Sequence, residues 1–350
     1  MLNGWISISV LSLGTALAMG CGGPEEPPRC PEWGCGTNAA SLYGNVFHEL
    51  DASGKMRNGV HVELRGFRDG HDADLQLEVD GDRLLGRTTT GGVLEGPELV
   101  GATLQLIQFD DDDGGNLVAR YVLRIVSVAE TDFWIDPGER FPVYQLMYRA
   151  EEDQGHWLPL CRATDEVSGL REVALIFRGD RYDATTKTVT EMGPDDTWFN
   201  VACVGSATAK MHLLRHTAAS SDETHKTSID QRQAMLKMLT ADYCGTGEAF
   251  TKDGYPLLVA FDQDWQLVGR RATPNAEPVA IEAIWTANGA VCLNSPRVHE
   301  RSYIDLECQQ ASRAPLADCP AIPWSTPWPG ERPWRQLGYA MSATDVPRTP

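Results

Sequence analysis

Alternating apolar and polar residues dominate residues 41–150 of the chain. Leu75, Leu77 and Val79 alternate with polar residues, and an Asp-Gly-Asp turn follows at 80–82. A period of two places every second side chain on the same face of a strand. Because short strands of this kind recur between turn signals, the pattern predicts a small β-sandwich or barrel-like domain over 41–150.

A long strand is the clearest element of this first domain. Its two faces differ in character, since one is apolar and the other mixes valine with arginine. The apolar face carries Ala119, Tyr121, Leu123 and Ile125. The mixed face carries Val118, Arg120, Val122, Arg124 and Val126.

Residues 151–310 mix strand and helix patterns, and they predict a second, mixed α/β domain. Strands are predicted at 173–177, 198–204, 257–261 and 279–285. The clearest helix has Ser228 as its N-cap with Gln231 three residues later, which is a capping box. Apolar residues follow at helical spacing, and Gly245 stands where a glycine would end the helix. The fold class is therefore β-rich α+β.

Residues 311–350 are rich in proline and tryptophan. The segment contains eight prolines, which disfavour regular structure. Three tryptophans in a solvated tail would be unusual, so the segment is expected to pack irregularly across the domain surface. They are Trp324, Trp328 and Trp334.

The first forty residues predict export. Residues 1–20 carry no charged side chain and form a short apolar run that ends in Leu-Ala-Met-Gly before Cys21. This resembles a signal peptide with a bacterial lipobox, in which the cysteine takes a diacylglycerol and anchors the protein in the membrane. Residues 21–40 would then be a tether rich in proline and charge. Gly22, rather than Asp, after the cysteine resembles an outer-membrane destination. The alternative is an ordinary signal peptide with Cys21 in a disulfide.

The net charge of −19 falls entirely on the part after residue 20. Such an acidic chain is a poor partner for nucleic acid or for anionic lipid through charge alone. The expected partners are therefore the membrane, through the lipid on Cys21, and an unidentified protein or glycan. No P-loop, Gly-x-Ser-x-Gly or His-Glu-x-x-His motif is present, and we expect no cofactor.

Nine cysteines leave eight once Cys21 carries lipid, and an even number in an exported chain indicates disulfides. Eight cysteines allow 105 connectivities, so the pairing is a hypothesis. There is no Cys-x-x-Cys, which disfavours zinc. Proximity in the sequence favours Cys30–Cys35 and Cys308–Cys319, and we then pair the remaining four as Cys161–Cys203 and Cys244–Cys292.

A five-residue signature and six ordered motifs around it give the chain a resemblance to the ADYC-domain family. The signature is a five-residue segment, here Ala241, Asp242, Tyr243, Cys244 and Gly245. Around it lie Trp-x-Pro-Leu-Cys at 157–161, Phe-x-x-Ala-Cys at 199–203, a Gly-Ser-Ala-Thr-Ala-Lys run at 205–210, Thr-x-Asp-Gly at 251–254, and Glu-Ala-x-Trp with Gly-Ala-x-Cys at 282–292. The match covers about residues 155–297. It implies an exported or lipid-anchored protein, mainly of myxobacteria, with no assigned activity.

Two departures from the family pattern bear on the disulfides. The family usually has cysteines where this chain has Met211 and Met235. The absence of both cysteines together is expected if one whole disulfide of the family has been lost. The resemblance therefore implies that Met211 and Met235 are neighbours, and it supports the pairing of the remaining four cysteines.

Asp242 and Glu282 form the one constellation in the sequence that suggests chemistry. Each is set among apolar residues, where the pKa of a carboxyl rises, and two carboxyls across a cleft can hydrolyse glycosidic bonds. The alternative is structural, with Asp242 accepting backbone N–H groups and Glu282 paired with Lys210 or Arg270. The favoured function is a non-catalytic binding or structural module, and the alternative is a hydrolase of envelope glycan or peptide.

Two acidic loops are weaker candidates for a site. The acidic run at 110–115 lacks the alternating spacing of acidic residues and the distant glutamate of a calcium-binding loop. A charged hairpin turn is therefore the better interpretation. The His-Asp-Ala-Asp segment at 71–74 is predicted to be a solvated loop.

Overall fold

The computed structural model describes most of the chain between residues 40 and 343. The predicted signal peptide, Cys21, the predicted Cys30–Cys35 pair and the three tryptophans after residue 320 lie outside the described part. The described residues are 40–43, 45–55, 61–110, 115–153, 155–162, 169–193, 195–220, 225–251, 257–260, 265–267, 270–271, 281–297, 300–320, 338 and 340–343.

The first half of the described chain is almost entirely β structure, as its alternating pattern predicts. The turn predicted at 80–82 joins β5 to β6, with Gly81 at a positive φ of 60°. The strands are β1 (Ala40–Leu42), β2 (Asn45–Phe47), β3 (Glu49–Asp51), β4 (Val62–Arg68), β5 (Asp74–Asp80), β6 (Arg83–Thr88), β7 (Val93–Glu95), β8 (Thr103–Phe109), β9 (Leu117–Asp132) and β10 (Arg140–Ala150), with a 3-10 turn at Gly96–Leu99.

The second half combines shorter strands with helices. The strands are β11 (Leu158–Pro159), β12 (Val173–Arg178), β13 (Asp180–Asp183), β14 (Thr188–Glu191), β15 (Trp198–Cys203), β16 (Leu258–Ala260), β17 (Trp265–Leu267), β18 (Arg270–Arg271), β19 (Ile281–Thr286), β20 (Gly289–Leu293) and β21 (Ala340–Ala343). The helices are α1 (Ala207–Leu213), α2 (Ile229–Thr240) and α3 (Arg301–Gln310). None of the described helices is both long and apolar enough to cross a membrane.

One antiparallel sheet dominates the described part of the chain. Its strand order is β3-β15-β12-β10-β9-β8-β4-β5-β6-β7, and β11 pairs with β10. Strands from both sides of residue 150 share this sheet, because β10 pairs with both β9 and β12. The predicted β-rich class is confirmed, and the predicted division into two domains at residue 150 falls within one continuous sheet.

The large sheet separates two apolar cores. Strand β10 contributes to both, since Tyr144 and Leu146 pack in one core while Phe141 and Val143 pack in the other. Strands β8 and β9 contribute only to the first core, through residues such as Leu104 and the predicted apolar face of β9. The second core lies beneath α1 and α2, and it contains both Met211 and Met235, each fully buried.

A smaller sheet has the order β18-β17-β16-β21-β19-β20 among the described residues. Its strand β21 comes from the proline-rich segment and is inserted between β16 and β19, with all four residues buried. The expectation that prolines disfavour regular structure in 311–350 is therefore wrong at residues 340–343. The four residues of β21 contain no proline, so they can complete the ladder that prolines elsewhere in the segment would interrupt.

The disulfides confirm one predicted pair and correct two others. Cys161 and Cys203 are bonded, as predicted. Cys244 pairs with Cys308 rather than with Cys292, and Cys292 pairs with Cys319 rather than leaving Cys308 and Cys319 together. Helix α3 is not among the predicted elements, and it is this helix that carries Cys308 to the end of α2.

Candidate functional site

The signature segment, residues 241–245, begins where α2 ends. Ser228 caps α2 and forms the predicted capping box with Gln231. The predicted terminating role of Gly245 is wrong, because Ala241 already adopts the left-handed conformation at φ 55°. The N–H of Asp242 bonds to the carbonyl of Lys237 at 2.9 Å, in the pattern of a Schellman motif.

Asp242 is fully buried and holds the turn that follows the helix. Its Oδ1 accepts the N–H of Thr246 at 2.9 Å, and its Oδ2 accepts the N–H of Gly247 at 2.8 Å. The ammonium of Lys237, also buried, donates to Oδ2 at 2.5 Å and to the carbonyl of Thr186 at 2.9 Å. The carboxylate therefore ties α2, its own turn and the loop before β14 together.

Glu282 on β19 is equally buried, and its partner is Arg297 rather than Lys210 or Arg270. Nε of Arg297 donates to Oε1 and Nη2 donates to Oε2, each at 2.8 Å. The backbone N–H of Arg297 also donates to Oε1 at 3.0 Å, and the hydroxyl of Ser342 donates to Oε2 at 2.6 Å. Both carboxylate oxygens thus have their acceptor positions occupied by protein donors.

Tyr243 links the signature segment to this ion pair. Its hydroxyl donates to Oε1 of Glu282 at 2.5 Å, and its ring stacks on Trp285 with 5.1 Å between centroids. Burial and the neighbouring carboxylate raise the pKa of Tyr243 well above its ordinary value. Burial alone would lower the pKa of Arg297, but the charges and hydrogen bonds of Glu282 and Tyr243 together outweigh burial and raise that pKa.

Gly245 makes the close approach that the end of the signature requires. It has φ of +69°, and a Cβ on it would lie 2.0 Å from the carbonyl oxygen of Asn288. Gly289 presents the matching surface, since a Cβ there would lie 2.7 Å from the carbonyl oxygen of Tyr243. Cys244 adds a covalent link to α3 through Cys308. Each position of the signature from 241 to 245 therefore has a structural role.

The arrangement leaves little scope for acid–base chemistry at Asp242 and Glu282. A general acid or base has to reach the proton of its substrate within hydrogen-bond distance. Both carboxyls are 0 % exposed, and their oxygens are engaged by backbone, hydroxyl, ammonium or guanidinium groups. The geometry instead matches the structural alternative, in which buried charges are paired and hydrogen-bonded.

The weaker candidates behave as loops. The charged run at 110–115 is described only at its ends, where the N–H of Asp110 bonds to the carbonyl of Asn116 at the β8–β9 connection. Residues 71–74 are exposed, and Asp72 pairs with Arg68. Within the described residues, no group of three acidic, histidine or cysteine side chains is placed to hold a metal.

A buried histidine is a feature that sequence reasoning missed. His212 on α1 stacks on Phe177 with centroids 4.5 Å apart, and its Nδ1 lies 2.9 Å from the hydroxyl of Thr217. Asp82 lies 3.6 Å from the other ring nitrogen. The order acid, histidine and hydroxyl is that of a hydrolase triad, but His212 and Thr217 are both 0 % exposed. Burial lowers the pKa of His212, with partial compensation by Asp82.

The sequence profile of the ADYC domain matches residues 96–299. The match extends further towards the N-terminus than the six motifs do, and it includes strands β8 to β10 of the large sheet. No curated protein and no solved structure matches the chain. Since the profile covers more than half of the 350 residues, and the signature forms the junction between α2, α3 and β19, the chain belongs to the ADYC-domain family.

Proposed function

We propose that this protein is exported, anchored by lipid on Cys21 in the outer membrane of a bacterial envelope, and acts there as a non-catalytic module that binds a protein or glycan. Three disulfides support export, because such bonds persist in oxidising compartments. The apolar run that stops in small residues at Cys21 supports lipid anchoring.

The burial of Asp242 and Glu282 is the observation that carries the non-catalytic role. A hydrolase acting through these carboxyls needs them at a surface that substrate can reach. Here each is enclosed and bonded to a buried cation, Lys237 for the first and Arg297 for the second. Paired and hydrogen-bonded buried charges support a structural role for these two carboxyls.

Anchoring is tested by expressing the full chain in a Gram-negative host and measuring the mass of the mature protein. We expect cleavage before Cys21 and the added mass of diacylglycerol and an acyl chain, with recovery in the outer-membrane fraction. The matched control is Cys21→Ala, which removes the sulfur that takes the lipid. An unmodified Cys21 in the wild-type protein would contradict the anchoring.

The non-catalytic role is tested by incubating the mature protein with purified peptidoglycan and with lipopolysaccharide. We expect retention on an envelope polymer or protein without release of soluble fragments. Release of fragments that Glu282→Gln abolishes, in a variant as stable as wild type, would instead establish a hydrolase.

A further inference from the structure

The outer face of strands β8, β9 and β10 differs from the rest of the large sheet. The helices cover this face where β10 carries Val143 and β12 carries Leu175, because both residues belong to the core beneath the helices. Further along, on β9, Arg120 and Arg124 are exposed, and Val118 is 53 % exposed. The described residues therefore leave this part of the face open.

Three arginines lie together on this open face. Across the ladder, Arg124 is opposite Met147, and Val122 is opposite Arg149. Arg120 and Arg124 are four residues apart on one strand, which separates them by about 13 Å along the strand. Within the described part of the chain, none of the three arginines is paired with a carboxylate.

Trp157 stands beside two of these arginines. The guanidinium carbon of Arg149 lies 5.1 Å from its ring centroid, and that of Arg124 lies 5.8 Å away. Nε of Arg149 is buried and has no acceptor among the described residues. Glu63, on the same side of β4, is already paired with Arg65 at 2.7 Å. Nη1 of Arg149 donates to the backbone carbonyl of Asp153 at 2.9 Å. Among the described residues, the face thus offers three guanidinium groups without a carboxylate partner around a half-buried indole.

We propose that this arginine–tryptophan face, formed by Arg120, Arg124, Arg149 and Trp157, binds an anionic polysaccharide. The proposal rests on the proposed function as a binding module and names its surface and ligand class. Guanidinium groups bind carboxylate, sulfate or phosphate through paired N–H donors, and the apolar body of an indole supports a sugar ring. On a chain of net charge −19, a local cluster of unpaired cations gives selectivity for an anion placed at this face.

Charge complementarity favours a glycan over other polyanions. Three arginines neutralise only about three phosphates, which is few for a nucleic acid on so acidic a protein. Binding to an anionic membrane surface typically uses four to eight basic residues. A polysaccharide with one acidic group in each repeat presents anions at intervals, with apolar ring faces between them, and that matches separated arginines beside a tryptophan.

Binding is measured by affinity electrophoresis and calorimetry of the mature protein with polygalacturonate, and with the fully methyl-esterified polymer as the uncharged probe. We expect binding of the charged polymer only, weakening as salt rises. Arg120→Glu and Arg124→Glu are each expected to reduce affinity about tenfold or more, because each removes a charge-assisted contact. The control is Arg83→Glu, the same charge change at an exposed site on β6. Matching thermal unfolding midpoints show that the variants are folded.

Equal binding by Arg124→Glu and Arg83→Glu would overturn the assignment of the surface while leaving a glycan-binding function in place. Failure to bind polygalacturonate and dextran sulfate, together with binding to the fully methyl-esterified polymer, would overturn the anionic ligand but not the binding function. Arginine-dependent binding to phosphatidylcholine vesicles containing 30 % phosphatidylserine, without binding to polygalacturonate, would show a membrane surface as the occupant and would also overturn the proposal.

Discussion

Arg297 and Glu282 form a two-fold hydrogen-bonded ion pair that is closed off from solvent, with Nε–Oε1 and Nη2–Oε2 distances of 2.8 Å. Arg297 lies beyond the end of β20, and Glu282 lies on β19. The hydroxyl of Tyr243 reaches the same carboxylate. The pair therefore fixes the chain after β20 against the signature segment.

Removing one member of this pair should destabilise the protein strongly. Arg297→Met leaves the carboxylate of Glu282 buried without its cation, so we expect a loss of about 3 to 5 kcal/mol in the free energy of unfolding. Denaturant titration under non-reducing conditions measures it. The control is Arg140→Met, which breaks the exposed pairs with Glu130 and Asp132 and should cost at most about 1 kcal/mol. Equal effects of the two changes would refute the structural role of the pair.

The disulfide map can be checked directly by mass spectrometry of a non-reducing digest. We expect linked peptides for Cys244–Cys308 and Cys292–Cys319, together with Cys161–Cys203. In the chain-entropy model, separations of 64 and 27 residues correspond to about 4 and about 3.5 kcal/mol. A peptide linking Cys244 to Cys292 would contradict the map.

Gly245 should tolerate no side chain. Gly245→Ala places a Cβ against the carbonyl of Asn288, so we expect a loss well above the roughly 1–2 kcal/mol of left-handed strain alone. Gly81→Ala isolates that strain, because Gly81 has φ of +60° and open space around it. Comparing the two by thermal unfolding separates packing from backbone conformation. Similar unfolding midpoints for both variants would show that the close approach of Gly245 to Asn288 is not required for stability.

His212 should make stability depend on pH. Its pKa is lowered in the folded state because burial disfavours the imidazolium, so the unfolded chain takes up the proton first as pH falls. Protonation of His212 therefore has no effect on the free energy of unfolding above the ordinary histidine pKa of about 6.5, and it lowers that free energy progressively below this pH. Denaturant titrations from pH 7.5 to 5 measure the slope. His212→Phe should flatten it, whereas the exposed control His156→Gln should not; an unchanged slope in His212→Phe would contradict the assignment.

Local elements follow from the sequence because their signals are local. Alternation predicts β5 and β9, and the Ser228–Gln231 box predicts the start of α2. The junctions depend instead on contacts distant in sequence. Arg297 and Ser342 meet Glu282 across 15 and 60 residues, and no spacing rule selects them over Lys210 or Arg270. The wrong cysteine pairs have the same cause, because proximity in the sequence does not indicate where α3 lies in the fold.

The structural role of the signature is tested most directly by the free energy of unfolding of Asp242→Asn, compared with Asp74→Asn at an exposed position. Asn keeps the shape of the side chain but leaves the buried ammonium of Lys237 without its carboxylate. We predict a loss of about 3 to 5 kcal/mol for Asp242→Asn and little change for the control. Wild-type stability of Asp242→Asn, with loss of a binding or hydrolytic activity, would contradict this role and identify Asp242 as a functional group.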